Sequence, residues 1–180
     1  MKKILLAGML VLVSISFFTT EVKAESNKAL KPELTANYYL KRGNAFAAKG
    51  QYDQAIKDYN KAIQIDPNNA ANYYINRGNA SADKGQYDQA IKDFNKVIEL
   101  NPNYTGAYNN RGLIYANKGQ YDQAIKDYNK AIQIDPNYEP AYNNRGNAYK
   151  EKGKYDEAKK DYKKACLLGN KTACNLKIKK

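Results

Sequence analysis

Apolar residues in this chain recur at helical intervals. Ala55, Ile56, Tyr59, Ala62 and Ile63 fall three and four apart, the spacing of one stripe of an amphipathic helix. The surrounding segment is not unique. Lys-Gly-Gln-Tyr-Asp-Gln-Ala-Ile-Lys-Asp recurs unchanged from Lys49, Lys84 and Lys118, and a degenerate copy begins at Lys152. Each copy predicts two helices. In the second copy they run from about 71 to 84, ended by Gly85, and from 87 to 100. The latter stops at Asn101-Pro102, because proline cannot continue a helix. The repeat glycines are spaced 35, 34 and 34 apart, and the extra residue lies between Pro67 and Gly78, in the turn near Asn69 and Ala70.

Small residues stand in register across the copies. Gly43, Gly78, Gly112 and Gly146 fall in the first helices, and Ala55, Ala90, Ala124 and Ala158 in the second. Glycine inside a helix costs about 1 kcal/mol relative to alanine. Four in register imply a close helix–helix contact. A period near 34 with two helices per copy implies a stacked array rather than one globular core.

These residues resemble the tetratricopeptide repeat. The third copy carries the pattern as Tyr108, Gly112, Tyr115, Gly119, Tyr121, Ala124, Tyr128, Ala131 and Pro136. The resemblance implies an all-α, right-handed solenoid of four helix-turn-helix repeats, at 36–70, 71–104, 105–138 and 139–172, with a C-terminal capping helix. Three departures matter. Ser81 replaces an aromatic residue, and Val97 replaces an alanine, both implying repacking in the second repeat. Asn170 stands where earlier repeats have Pro67, Pro102 and Pro136, marking the end of the array.

All four arginines, Arg42, Arg77, Arg111 and Arg145, precede the repeat glycine, where the family usually has leucine. Each repeat also carries an aspartate in its second helix: Asp58, Asp93, Asp127 and Asp161. One reading pairs each guanidinium with a nearby carboxylate at a partly buried seam, a geometry that suits arginine better than lysine. The other makes the arginines a ladder for an acidic ligand.

The segment holding Cys166 and Cys174 resembles the cysteine-rich Sel1-like repeats of secreted bacterial proteins, in which cysteines at this spacing bridge the helices of a hairpin. The resemblance implies a disulfide. Two free buried cysteines are the alternative. After the turn at Gly169-Asn170, residues from Thr172 to about Ile178 are expected to form a short helix packing back through Cys174, Leu176 or Ile178, with 173–180 as the end of the cap and a basic tail.

Family resemblance places ligands on the concave face lined by the first helices. Carried onto this chain, the peptide-binding positions are Asn44, Asn79, Asn109, Asn143, Asn147 and Lys150. Asparagine bonds both the N–H and the C=O of an extended peptide. Some family members grip a C-terminal carboxylate with cations in the groove. Here the corresponding columns hold Leu40, Asn109, Leu113 and Asn143, so that mode is not expected.

Composition narrows the function further. There is no histidine, which excludes histidine-based catalytic dyads and metal sites. No metal, cofactor or catalytic residue is expected, and the chain reads as an interaction protein rather than an enzyme. Residues 1–24 have the order of a secretory signal peptide: Lys2 and Lys3, an apolar run from Ile4 to Phe18, then Val22-Lys23-Ala24. They imply export to the periplasm or beyond, with 25–35 as a linker and no stable membrane span after cleavage; an uncleaved anchor is the alternative. The net charge is +12. Residues 150–180 hold eleven lysines against four acids, so an electrostatic adaptor touching anionic envelope or host surfaces is the alternative function. A nucleic-acid partner is not expected, because the regular tyrosines read as core columns.

Overall fold

The computed structural model describes residues 32–175 of the 180. The signal-peptide reading and the basic tail beyond Asn175 lie outside the described residues. Nine α-helices occur among the described residues. Four pairs form the array: α1 (Pro32–Ala47) with α2 (Tyr52–Ile65), α3 (Ala70–Asp83) with α4 (Tyr87–Leu100), α5 (Thr105–Asn117) with α6 (Tyr121–Ile134), and α7 (Glu139–Glu151) with α8 (Tyr155–Leu167). A single turn, α9 (Lys171–Cys174), follows. Helix α1 begins inside the segment read as linker, with Pro32 in its first turn, where a missing N–H costs nothing.

Local chemistry sets the breaks. Gly85 adopts φ +81°. Its N–H reaches Ala82 O at 2.8 Å, and Gln86 N–H reaches Ser81 O at 2.7 Å, the paired bonds that close a helix through a left-handed residue. Gly119 and Gln120 repeat the arrangement. The extra residue between the first two repeats is taken up by a 3-10 turn, Pro67–Asn69. Asp66 stabilises it by accepting from Asn69 N–H at 3.3 Å and Asn69 Nδ2 at 2.9 Å.

Within each pair the repeat glycine lies against an aromatic ring. A Cβ on Gly112 would sit 2.7 Å from Tyr128 Cε1 and 3.2 Å from the Ala124 carbonyl oxygen. The rings so covered, Tyr59, Phe94, Tyr128 and Tyr162, are buried, as are the four second-helix alanines. The core is therefore a row of clusters, each shared between neighbouring helices. First helices of adjacent repeats touch each other, α1 with α3 and α5 with α7, whereas no pair of second helices approaches as closely. The first helices thus form the inner, concave layer.

The cap differs from its sequence expectation. It is one turn long within the described residues, and Ala173, not Cys174, is the residue it buries. Asn170 fixes this by accepting from Ala173 N–H at 2.9 Å, while Leu176 and Ile178 lie outside the described residues.

Candidate functional site

The arginine column is a structural clamp. In all four repeats Nε and Nη2 grip both oxygens of the repeat aspartate: Arg42 on Asp58 at 2.6 and 2.7 Å, Arg77 on Asp93 at 2.9 and 2.6 Å, Arg111 on Asp127 at 2.8 and 2.6 Å, and Arg145 on Asp161 at 2.7 and 2.6 Å. The free nitrogen Nη1 reaches the preceding repeat, binding Asn60, Asn95 at 2.6 Å and Asn129 at 2.5 Å from Arg77, Arg111 and Arg145 respectively. Each of these three guanidiniums also lies over a tyrosine ring, Tyr74, Tyr108 or Tyr142. Hydrogen bonding to the aspartate raises the arginine pKa in each repeat. A ladder of free arginines for an acidic ligand is thereby overturned.

A second inter-repeat ladder runs along one edge. Lys84, Lys118 and Lys152 close on Asp53, Asp88 and Asp122 of the repeat before. Sequence reasoning missed both this ladder and the Asn60, Asn95 and Asn129 column. Their signal was present: each asparagine falls two residues after a repeat aspartate, and each lysine opens a repeated segment.

With the arginines bonded to the repeat aspartates, the inner face is dominated by carboxamides. Asn44, Asn79 and Asn147 are exposed there, as is Lys150. Asn109 is not available: it is 6% exposed, donates to Asn110 Oδ1 at 3.3 Å and accepts from Asn144 Nδ2 at 3.0 Å. Asn143 is half-buried in the same column. The seam between repeats thus takes Asn109 out of the groove, whereas Asn143 keeps a partly exposed side chain. Asn76, Asn110 and Asn144 are half-buried as well. Asn110 Nδ2 bridges to Asn79 Oδ1 at 3.4 Å, linking α5 to α3.

Beneath this layer the repeats differ. Tyr59 OH donates to Asn44 Oδ1 at 2.8 Å, and Tyr162 OH donates to Asn147 Oδ1 at 2.7 Å. The second repeat keeps the asparagine, Asn79, but has Phe94. The third keeps the tyrosine, Tyr128, but has Leu113. Tyr128 OH is buried with no hydrogen-bond partner among the described residues, and burial pushes its pKa up.

At the C-terminal end, Cys166 and Cys174 sit at disulfide-bonding distance with their Cα atoms 4.8 Å apart. The cap so placed covers the Ala158, Tyr162 and Ala165 cluster through Ala173. No group of three or more acidic, histidine or cysteine side chains able to hold a metal occurs among the described residues.

Paired helices, glycine–aromatic contacts and a continuous inner face define a helical-repeat interaction scaffold. The chain belongs to the tetratricopeptide-repeat family. Models described as TPR repeat match 78–119 and 112–153, and models described as tetratricopeptide repeat match 36–69, 58–92 and 140–168. A crystal structure of MamA is 34% identical, with TM-score 0.69, covering 82% of this chain and 86% of that one. The first TPR of Spaghetti (RPAP3), solved with the HSP90 peptide SRMEEVD, is 29% identical, with TM-score 0.62, covering 67% of this chain and 95% of that one. A thermophilic TPR protein of Thermus thermophilus shares the fold at 23% identity and TM-score 0.65, covering 75% of each chain. No curated protein sequence matches. The segment resembling Sel1-like repeats finds no counterpart among these matches.

Proposed function

We propose that this protein is an exported scaffold that binds an extended segment of a partner protein along its inner face. The carrying observation is the row of carboxamides along the first helices, with Asn44, Asn79 and Asn147 exposed and Asn76, Asn110 and Asn144 half-buried beside them. Carboxamides match peptide N–H and C=O groups in either direction, which suits backbone recognition with little demand on sequence. The arginines, held by aspartates, stiffen the scaffold. Export rests on the basic–apolar–small order of residues 1–24, and a disulfide-pinned cap suits an oxidising compartment.

A second reading has one observation in its favour. The columns that hold Ile56, Ile91 and Ile125, and Asn60, Asn95 and Asn129, end in Lys159 and Lys163, both exposed on α8. That end would serve as an electrostatic contact for anionic surfaces.

The test is capture of partners from envelope extract by residues 25–180, which contain every described helix, at low and high salt. A variant with Asn76, Asn79, Asn110 and Asn144 changed to alanine is run alongside. Groove binding predicts a salt-resistant partner lost in the variant. Capture that disappears near 1 M salt, where the screening length falls to about 3 Å, and ignores the asparagine changes would refute it and favour the lysine-rich end.

A further inference from the structure

The inner face breaks its own pattern in the middle. In the outer repeats a tyrosine hydroxyl props up an asparagine, whereas the second repeat lacks the hydroxyl and the third lacks the asparagine. The two losses are adjacent. They put Leu113, 42% exposed, into a surface otherwise made of carboxamides. Helices α3 and α5 also approach each other less closely than α1 and α3 or α5 and α7. A cleft of about 330 Å³ opens between them. Leu113 supplies its accessible apolar surface beside the half-buried Ala82, with Phe94 and Ile114 buried behind them, and Asn79, Asp83, Asn110 and Asn117 supply its polar lining. Asp83 forms no ion pair among the described residues and is exposed. Leu113 occupies the repeat position at which Asn44 and Asn147 accept from a tyrosine hydroxyl, and the Tyr128 hydroxyl is buried with no hydrogen-bond partner among the described residues.

We propose that this cleft is the specificity pocket of the groove: it takes one aliphatic side chain of an extended peptide, with a lysine or arginine beside it drawn to Asp83. The inference rests on the peptide-binding reading above and names the partner chemistry. Leu113, with Ala82 beside it, removes the aliphatic group from water, which is favourable in proportion to the area covered. Asn79 and Asn110 hold the flanking backbone. Asp83 is the charge in the cleft, and the guanidiniums that would favour an acidic peptide are bonded to the repeat aspartates. An acidic segment such as the HSP90 peptide SRMEEVD bound by the Spaghetti repeat is therefore disfavoured here.

The experiment is selection of random dodecapeptides displayed on phage against residues 25–180, followed by affinity measurement of the enriched sequences as synthetic peptides. Enriched peptides are expected to share one aliphatic residue next to lysine or arginine. Leu113→Asn is expected to weaken them about tenfold, the order for losing part of one aliphatic side chain's burial. It also offers Tyr128 a partner of the kind seen in the outer repeats, so the fold is retained. Asp83→Asn is expected to abolish the preference for a basic neighbour. Enrichment of acidic peptides, no enrichment at all, or binding indifferent to both changes would overturn the pocket. Binding that ignores Leu113 and Asp83 but is lost when Asn76 and Asn144 become alanine would overturn the pocket and leave the groove standing. Binding indifferent to all four would remove both.

Discussion

Replacing one hydroxyl with hydrogen at equivalent places in the array has opposite expected effects. Tyr128 is 0% exposed and its OH has no partner among the described residues. A buried unsatisfied hydroxyl costs about 1–3 kcal/mol. Tyr128→Phe removes that cost and leaves a void of roughly 10 Å³, worth about 0.2 kcal/mol at the usual cavity coefficient. The variant should be more stable by about 1 kcal/mol or more. In Tyr59→Phe the change deletes a hydrogen bond to Asn44. Asn44 is exposed and rehydrates, so the loss is the net value of one neutral bond, about 1 kcal/mol. Tyr162→Phe, which loses the bond to Asn147, should match it. The assay is urea denaturation followed by helical circular dichroism, comparing midpoints at unchanged slope. Phe94→Tyr is the converse, placing a hydroxyl under Asn79 with an expected gain of about 1 kcal/mol. Equal destabilisation in Tyr128→Phe and Tyr59→Phe would refute the reasoning, because it would show that the Tyr128 hydroxyl is bonded in solution.

Other outcomes follow from the same contacts. Gly112→Ala should destabilise by about 1–3 kcal/mol in thermal melts, because the new Cβ meets the Tyr128 ring at 2.7 Å and backbone at 3.2 Å. Asp93→Ala should cost about 3 kcal/mol, as it strands a half-buried arginine. Asp58→Ala should cost clearly less, because Arg42 is 43% exposed against 17% for Arg77 and is better screened. Blocking Cys166 and Cys174 by reduction and alkylation opens a loop with sequence separation 8, worth about 2–3 kcal/mol in the chain-entropy model. Hydrogen exchange should then rise in α8 and α9 well before α1 to α4, since repeat arrays couple mainly to nearest neighbours. The lysine bonds hold Asp88 and Asp122 below the usual aspartate range. Their contribution is present above about pH 4 and is lost as pH falls through the lowered values. Burial raises Tyr59, Tyr128 and Tyr162, so their contribution is present below about pH 10 and is lost as pH rises through the raised values. Denaturant midpoints should decline at both extremes, with phenolate absorbance tracking the alkaline limb.

Repeat number, helix pairing and the helix breaks are all legible in the residues alone. They depend on local chemistry: apolar spacing, a glycine that turns left-handed, a proline that cannot continue. Arg77 and Asp93 also come into one argument at that level, because side-chain type and register recur in every copy. The rotation of each helix about its axis is a different matter, and it is set by packing. One residue turns a helical position by about 100°, so Asn109 and Asn110 look equivalent in sequence, yet packing against α7 buries the first and leaves the second half-exposed on the groove. The same limit hid the asparagine partners of the arginines and the unpaired Tyr128 hydroxyl. Both are relations between helices, and only the packed array sets the distances that create or deny a hydrogen bond.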